Sequence, residues 1–447
     1  MAADYDLVIL GGTVAGRLAA MMAAGYGARV ALVEPPSLFE QRQQAHFLLQ
    51  GLQQLAESRH RQQVSSWLHP SNPWQTAVGA EKGWPALVRW SAIAAETQVE
   101  ALSPAVMSIS GIDVVPERPA SLSRHLLVTT AQRQLRARAV LLAFGTVPMD
   151  LSTLLMADTL PEALYILGGD ALAILWAIAL SDLGVRVTLM AADFLTGEDE
   201  DIRRLVRSQL ITAGVALTQV AREDMNQVKE GLVIAPRQLA LDLPHFVYCR
   251  SGRQSGICVN RKLQTSHPRI FACGSVLGGS LDSALAEYEA KTAVQNALFI
   301  PCRQVNYDAV AVGHHHFARV GLSQAQAQQR YGSAARVWTA SSANSADLSR
   351  LSPLPNYCKL VSVHSRLVGI HLFGTGASTL IQPLAAMVGQ PIGRLDRLQA
   401  FSAEGIAHDL ADLVSLAGRR AERLRWQLGH WRRDWAENWF NWRRNQS

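Results

Sequence analysis

A glycine-rich loop close to the N-terminus is the first group of residues whose types and spacing indicate a chemistry. Gly11, Gly12 and Gly16 follow a short apolar run, and Thr13 stands where a GxGxxG pattern has its middle glycine. A tight turn at Gly11 and a close helix–strand contact at Gly16 would leave the helix N-terminus facing a pyrophosphate. Glu34 ends the next apolar run and can accept hydrogen bonds from ribose hydroxyls. The pattern predicts a dinucleotide site, with a βαβ unit that holds no ligand as the alternative.

A second loop of the same kind lies further along the chain, at Gly168, Gly169 and Asp170. Asp170 replaces the middle glycine, and its carboxylate would crowd and repel a pyrophosphate. The strand that follows ends at Ala191, which offers a ribose no carboxylate, although Asp193 is close enough to restore part of the affinity. The spacing therefore predicts a second dinucleotide fold whose site is degenerate.

The elements that would position these loops are alternating strands and helices in a chain of 447 residues, 49% hydrophobic and 17% charged. Such a length predicts roughly three folding units. No apolar run approaches the ~20 residues that span a bilayer, and no signal peptide is recognisable before the first loop. These features argue against a polytopic membrane protein.

Cysteine placement and charge narrow the class of protein further. All five cysteines lie from Cys249 onward and none forms a CxxC pair, which argues against a secreted disulfide scaffold and favours a reducing, cytoplasmic location. The formal net charge of +6 comes from arginines and indicates an acidic partner or a membrane surface. The histidine run 314–316 would alternate faces if extended, so we predict no metal site there.

Several later segments complete an ordered set of motifs with the two glycine loops. They are Leu141–Pro148, Leu164–Asp170, Leu263–Ser275, Phe317–Ala325 and Leu367–Ser378. In type and order the set resembles the flavoprotein disulfide reductase superfamily, which includes dihydrolipoamide dehydrogenase, glutathione reductase and mercuric reductase. The resemblance covers about residues 4–417. It implies an α/β fold with two Rossmann-like dinucleotide-binding domains, a C-terminal α+β dimerisation domain and a helical tail.

The resemblance also implies a domain organisation, a cofactor and a homodimer. The domains are an FAD-binding domain (1–155 with 263–302), a degenerate NAD-binding-like domain (156–262), a dimerisation domain (303–417) and a Trp/Arg-rich amphipathic tail (418–447). The residues that would bind FAD are Gly11, Gly12, Thr13, Gly16, Glu34, Gly145, Gly274 and Ser275. Ser275 replaces the superfamily's ribityl-binding aspartate, and its hydroxyl is a weaker hydrogen-bond partner than a carboxylate.

The departures from the superfamily pattern concern its catalytic groups. Residues 35–46 occupy the place of its CxxxxC redox pair and contain no cysteine. Because disulfide exchange needs an attacking thiolate, dithiol chemistry by that route is excluded. Gln399 stands where the partner subunit's acid–base histidine would be, with Glu404 retained, and an amide cannot shuttle a proton. No catalytic residue is identified, and Gln399 and Glu404 remain the candidates, beside the flavin of the partner subunit. Leu175 replaces a glutamate that lies close to the nicotinamide.

The tail segment, residues 418–447, combines eight arginines with five tryptophans. Its bulky apolar residues recur every three or four positions, as on one face of a helix: Leu424, Leu428, Trp431, Trp435, Trp439 and Trp442. Trp and Arg in this arrangement are typical of a helix lying on an anionic membrane surface. The alternative is a helix that packs on the protein body or across the dimer. No nucleic-acid-binding fold accompanies the arginines, so we predict no nucleic-acid partner.

Two smaller groups of residues receive structural interpretations. Four tryptophans, Trp67, Trp74, Trp84 and Trp90, follow the segment that lacks the redox cysteines, and they are predicted to pack in the interior or to wall the flavin pocket. Residues 287–289, in the helix after Gly274, are predicted to form a solvated or interface face.

Two functions are compatible with these features. The first is an FAD-dependent oxidoreductase of a non-disulfide, NAD(P)H-independent type that exchanges electrons with an acidic, ferredoxin-like carrier or a membrane quinone. It would be cytoplasmic, or peripheral on the cytoplasmic membrane face. The second is a catalytically inactive flavoprotein dimer that acts as a membrane-docked scaffold or redox sensor. A flavin that a physiological donor reduces at turnover rates would favour the first.

Overall fold

The computed structural model describes residues 3–35, 39–41, 43–53, 80–144, 151–220, 232–234, 257–277, 283–307, 311–314, 316–341, 356–374 and 376–392. The strands are β1 (Tyr5–Leu10), β2 (Val30–Val33), β3 (Ile112–Val115), β4 (Ser121–Leu122), β5 (Leu127–Thr129), β6 (Gln134–Leu142), β7 (Ala163–Leu167), β8 (Arg186–Ala191), β9 (Ala216–Gln219), β10 (Leu232–Ile234), β11 (Ile270–Ala272), β12 (Ala311–His314), β13 (Phe317–Gly321), β14 (Ala335–Ser341), β15 (Tyr357–Val363) and β16 (Arg366–Phe373). The helices are α1 (Val14–Gly25), α2 (Ala80–Ala101), α3 (Pro104–Ile109), α4 (Ser152–Leu155), α5 (Ala171–Ser181), α6 (Glu200–Thr212), α7 (Ser283–Leu298), α8 (Gln324–Tyr331) and α9 (Ala377–Leu384). Residues 39–41 and 43–53 are also helical.

The N-terminal sheet has seven strands in the order β3-β2-β1-β6-β5-β4, with β11 beside β6. β1 pairs in parallel with β2 and with β6. β2 also pairs in parallel with β3, and β6 pairs in parallel with β11. The last four residues of β1, Leu7 to Leu10, are fully buried. Such a continuous apolar run is expected of a parallel strand covered on both faces. α1 and α7 pack together over one face and share its core.

A smaller parallel sheet has the strand order β10-β7-β8-β9. Its β7, α5 and β8 follow one another with a glycine loop between β7 and α5, which repeats the arrangement of β1, α1 and β2. α5 packs against β8, and most of its side chains are buried. The sequence prediction of two Rossmann-like parallel sheets is therefore confirmed at the level of fold class.

The chain divides into two compact units, residues 1–197 with 206–306 and residues 198–205 with 307–447. The first unit contains both parallel sheets. The more detailed domain boundaries given above stay a prediction. Within the described part of the chain, no helix has both the length and the apolar character that crossing a membrane requires.

The second unit contains an antiparallel sheet in the order β12-β13-β16-β15-β14. α9 packs on β12 and β13 and completes an apolar core with them. This antiparallel sheet agrees with the α+β architecture that the resemblance implied for the C-terminal region.

A buried charged cluster lies within the second unit. The Lys359 ammonium is 2.9 Å from Asp199 Oδ2 and 2.8 Å from Asp201 Oδ2, and its side chain is almost fully buried. His371 is also buried, with Nε2 3.1 Å from the Leu322 carbonyl oxygen. Burial lowers the pKa of His371 to about 4. Since buried charges persist only when they are paired, Lys359 and the two aspartates depend on one another.

Candidate functional site

The carboxyl ends of the parallel strands meet at the first glycine loop. Main-chain hydrogen bonds continue beyond the strand ends, from Gly11 N to the Val33 carbonyl oxygen (2.9 Å) and from Ala143 N to the Leu10 carbonyl oxygen (2.8 Å). Outside this edge of an open α/β sheet is the usual place for a bound ligand. The loop is therefore positioned by the sheet and not by its own sequence alone.

Two glycines of this loop are required by the backbone. Gly11 has φ of +99°, which disfavours any side chain, and a Cβ there would overlap the backbone of Phe144 at the end of β6. A Cβ on Gly16 would overlap the Gly11 carbonyl oxygen. The loop can therefore keep its close contact with β6 and α1 only with glycine at both positions.

The carboxylate of Glu34 lies against Gly12. A Cβ added to Gly12 would overlap both carboxylate oxygens of Glu34, whose residue is only 4% exposed. The second strand thus brings its terminal acid to the glycine loop, as the sequence spacing predicted. In this place a carboxylate can accept hydrogen bonds from the hydroxyls of a ribose.

Thr13 is the N-cap of α1. Its hydroxyl accepts a hydrogen bond from Gly16 N (3.2 Å) and donates one to the Ala143 carbonyl oxygen (2.8 Å). The side chain that replaces the middle glycine therefore satisfies one helix amide and ties the loop to β6. Because the hydroxyl is neutral, it adds no charge that would repel a pyrophosphate at the helix N-terminus.

Arg17, on the second turn of α1, is a component that the sequence reasoning missed. Its guanidinium forms an ion pair with Glu34, and Nη1 donates to the Leu102 carbonyl oxygen at 2.6 Å. The guanidinium carbon lies 3.9 Å above the centre of the Phe39 ring. Burial lowers the pKa of Arg17, while the ion pair with Glu34 opposes that shift. No motif predicts this contact, because its partners lie in four separate parts of the chain.

The turn after β11 brings a further glycine, Gly274, to the same edge of the sheet. Gly274 has φ of +78° and begins the 3₁₀ turn that contains the half-buried Ser275. Gly274 N donates to Glu289 Oε2 at 2.6 Å. Glu289 is buried, so the prediction of a solvated or interface face was wrong for this residue and holds only for the exposed Glu287. The reason is the free amide of the turn, which a carboxylate on α7 satisfies.

These residues fit the adenosine and pyrophosphate half of FAD, the cofactor that the resemblance implied. None of Gly11, Gly12 and Gly16 has room for a Cβ, so the loop packs closely on its neighbours, and the Glu34 carboxylate lies against Gly12. The fit is therefore based on shape and on the chemistry of the acceptor.

The second glycine loop has the same backbone hydrogen-bond pattern as the first but a different residue at the helix N-cap. Gly168 N donates to the Met190 carbonyl oxygen, as Gly11 N does to Val33. Asp170 is the N-cap of α5, and its Oδ1 accepts from Ala173 N at 2.9 Å. A carboxylate therefore already occupies the helix terminus that would receive a pyrophosphate, and it brings a negative charge where Thr13 brings none.

The ribose side of the second loop is also filled. A Cβ on Gly169 would overlap the backbone carbonyl oxygen of Asp193, and Leu195 N donates to the Gly169 carbonyl oxygen at 2.8 Å. Backbone therefore lies beside this loop where Glu34 presents a carboxylate to the first. The Asp193 side chain accepts from Phe194 N at 2.8 Å, so the expectation that it restores ribose binding gains no support from its position.

Several residues predicted from the sequence lie outside the described residues. They are Gly145, Gln399, Glu404, His315, Trp67, Trp74 and the whole of the tail segment. Of the two described tryptophans of that group, Trp84 is buried and Trp90 is partly exposed on α2. Among the described cysteines, Cys273, Cys302 and Cys358 form no disulfide, and Cys258 is disulfide-bonded.

Comparisons with known proteins show the family to which the chain is similar. A family model described as pyridine nucleotide-disulphide oxidoreductase matches residues 5–297. Glutathione reductase of Burkholderia cepacia is 24% identical over 93% of this chain and 99% of its own length. Dihydrolipoyl dehydrogenase of Acholeplasma laidlawii is 25% identical over 69% of this chain and all of its own length. A dihydrolipoyl dehydrogenase of Bacillus subtilis is 24% identical over 63% of this chain.

Proposed function

Since the chain belongs to the pyridine nucleotide-disulphide oxidoreductase family, we propose that it is an FAD-dependent oxidoreductase that works without a redox disulfide and without a bound nicotinamide. It exchanges electrons with a protein carrier or a membrane quinone. The observation that carries this proposal is the contrast between its two glycine loops. The first is capped by the neutral hydroxyl of Thr13 and has the Glu34 carboxylate against Gly12, whereas the second is capped by the Asp170 carboxylate and has the Asp193 backbone against Gly169.

FAD, when bound, supplies the electron-transfer chemistry, and the protein supplies position and electrostatics. Gly11, Gly12 and Gly16 would let the pyrophosphate approach the N-terminus of α1, where backbone amides and the helix dipole favour an anion. Glu34 accepts from the ribose, and Ser275 stands on the ribityl side. Glu289 supports that side indirectly, because it holds the Gly274 amide.

The non-disulfide part of the proposal is supported by the sequence before Cys249, which contains no cysteine. The helical residues 39–41 and 43–53 lie where the family places its redox pair, and they include the buried side chains of Phe39 and Gln43. Neither side chain can form a thiolate or accept electrons. This segment therefore supplies no second electron acceptor of the kind that the family's redox pair provides.

An acidic carrier protein or a quinone fits this requirement better than a small dithiol. The chain has a formal net charge of +6, so an acidic carrier would be attracted to it. The family resemblance further supports a homodimer formed by the C-terminal unit, in which Gln399 and Glu404 approach the flavin of the partner subunit.

We expect NADH and NADPH to reduce the bound flavin slowly, at a rate that rises linearly with nucleotide concentration and does not saturate. The reason is the Asp170 carboxylate at the N-terminus of α5, which opposes a second anion there. Stopped-flow measurement of the flavin absorbance under anaerobic conditions gives this rate directly.

Two variants separate the effect of charge from that of the cap. Asp170→Asn keeps an N-cap side chain and removes the charge, whereas Asp170→Gly removes both. Both should raise nucleotide affinity, and the Asn variant should do so without loss of thermal stability. Saturable reduction of the unmodified protein at micromolar NADH would contradict the proposal and indicate a working nicotinamide site.

The tail segment supports a membrane-bound site of action. We expect the full-length protein to bind anionic liposomes and a chain ending near Ala417 to bind much less, because each basic group near an anionic surface contributes about 1 kcal/mol. Co-sedimentation with vesicles at increasing salt concentration should show binding that weakens but persists. The reason is that a Trp-rich face adds an apolar contribution that salt does not screen. The matched full-length variant is Trp435→Glu, which replaces one tryptophan of the apolar face with a charged residue and should also reduce binding. A shortened chain that keeps liposome binding would contradict the assignment, and one that loses its flavin would place the tail on the protein body.

The alternative function, a flavoprotein dimer that senses or scaffolds without turnover, is supported by the same loss of catalytic groups. It differs from the enzyme in one measurable property. A sensor binds FAD but is not reoxidised by carriers or quinones at turnover rates, whereas the enzyme is.

A further inference from the structure

Arg17 is the most highly connected charged residue beside the first glycine loop. Its three guanidinium nitrogens reach in three directions: Nε to the Gly12 carbonyl oxygen (3.3 Å), Nη1 to the Leu102 carbonyl oxygen (2.6 Å) and Nη2 to Glu34. The fourth contact is the Phe39 ring, which covers the face of the guanidinium. The side chain thus joins the glycine loop, the end of β2, the turn before α3 and the helical segment that begins near Phe39.

This position is costly for a charged side chain. The side chains of Arg17 and Glu34 are only 6% and 4% exposed. Taking both charges out of water is unfavourable, and a buried pair of this kind is often no more stable than an apolar pair of the same size. Packing of α1 against the sheet would be served equally well by a leucine at position 17. The pair is therefore better explained by what it does to Glu34 than by what it adds to the fold.

We propose that Arg17 is a positioning residue for the adenosine ribose of FAD, because its guanidinium pairs with the Glu34 carboxylate and holds it against Gly12. The ion pair fixes one carboxylate oxygen, Oε2, and so fixes the plane of the carboxylate next to the loop. The bond from Nε to Gly12 fixes the loop in the same frame. The glycine loop and the Glu34 carboxylate are thereby aligned with each other before FAD binds, which lowers the entropic cost of binding.

The guanidinium is specifically suited to this role. Its rigid, planar donors can serve Glu34 and two carbonyl oxygens at once, whereas an ammonium group on a flexible chain is a point charge without that fork. A lysine at position 17 would keep a cation beside Glu34 but would lose the bonds that align it with Gly12. The two functions of Arg17, charge and alignment, can therefore be separated by substitution.

The inference rests on the proposed binding of FAD and is tested by FAD affinity, which needs no activity. The experiment measures quenching of flavin fluorescence on binding to the FAD-free full-length protein, from pH 6 to pH 9. The proteins compared are the unmodified protein, Arg17→Met, Arg17→Lys, and Arg29→Met as the control, since Arg29 is an exposed arginine at the start of the next strand. The melting temperature of each FAD-free protein is measured alongside.

We expect Arg17→Met to weaken FAD binding by about 10- to 100-fold near neutral pH, the loss typical of a hydrogen bond to a charged group. Without the guanidinium, the buried Glu34 carboxylate has no cationic partner, which disfavours its negative charge, most of all at low pH. Affinity of this variant should therefore improve with pH, while the unmodified protein and Arg29→Met show a flat profile. Arg17→Lys should bind less tightly than the unmodified protein, with a flat profile.

The outcomes separate the inference from the proposed function. If the unmodified protein binds no FAD, the proposed function fails and the inference with it. If it binds FAD and Arg17→Met has the same affinity and a flat pH profile, only the inference fails. If Arg17→Met is unfolded, Arg17→Lys decides, and unmodified affinity in that variant overturns the alignment by Arg17. If Arg17 acts through Glu34, the double variant Glu34→Gln, Arg17→Met should bind FAD almost as tightly as Glu34→Gln alone.

Discussion

Gly11→Ala is expected to produce a protein that no longer retains FAD. The residue has φ of +99°, and the new methyl group would overlap the backbone of Phe144, which cannot move without displacing the end of β6. A non-glycine residue in this conformation costs roughly 1–3 kcal/mol before any clash is counted. We expect FAD affinity to fall by more than about 100-fold, because the loop can no longer bring α1 to the pyrophosphate.

The matched control for this change is Gly25→Ala. Gly25 ends the same helix, has no left-handed backbone and would place a Cβ in open space. It should retain FAD and melt at or slightly above the temperature of the unmodified protein. Flavin content after gel filtration, with the melting temperature, measures both. An alanine at position 11 that leaves the flavin bound would show that this loop is not the cofactor site.

Lys359→Met should be the most destabilising single substitution in the second unit. It leaves the buried Asp199 and the half-buried Asp201 without their cation, and removal of one partner from a buried ion pair typically costs about 3–5 kcal/mol. Chemical denaturation followed by circular dichroism gives the change in the free energy of unfolding.

Two further variants test the cause of that loss. Lys291→Met, on an exposed site of α7, should change stability by less than about 0.5 kcal/mol. Adding Asp199→Asn and Asp201→Asn to Lys359→Met should recover much of the loss, because no uncompensated charge then remains. If the triple variant is as unstable as the single one, packing and not charge accounts for the effect.

The fold was largely predictable from the sequence because its signals are local. A continuous apolar strand, a glycine loop and a helix in register are all contained within residues 5–33, and the second unit of this kind repeats within residues 163–191. The acid at position 34 is fixed by the length of that unit. Each of these features depends on neighbours along the chain, which periodicity and turn chemistry report.

The parts of the site that escaped prediction depend on contacts between distant segments. Arg17 is buried because Leu102 and Phe39 close over it, and nothing in the spacing of α1 distinguishes it from a solvated arginine. Glu289 was predicted to lie on a solvated or interface face, yet the Gly274 amide needs an acceptor there. Sequence periodicity gives the face of a helix, but it does not give the unsatisfied backbone groups that the face meets.

The central claim is that the flavin is the sole electron store of this protein, and an anaerobic titration with dithionite tests it most directly. We expect the visible flavin absorbance to disappear after two electrons per FAD, with no long-wavelength thiolate–flavin band at any stage. Uptake of four electrons per FAD would contradict it, because a disulfide would then be reduced together with the flavin. A fall from four electrons to two in Cys258→Ser would identify the disulfide at Cys258 as that second acceptor.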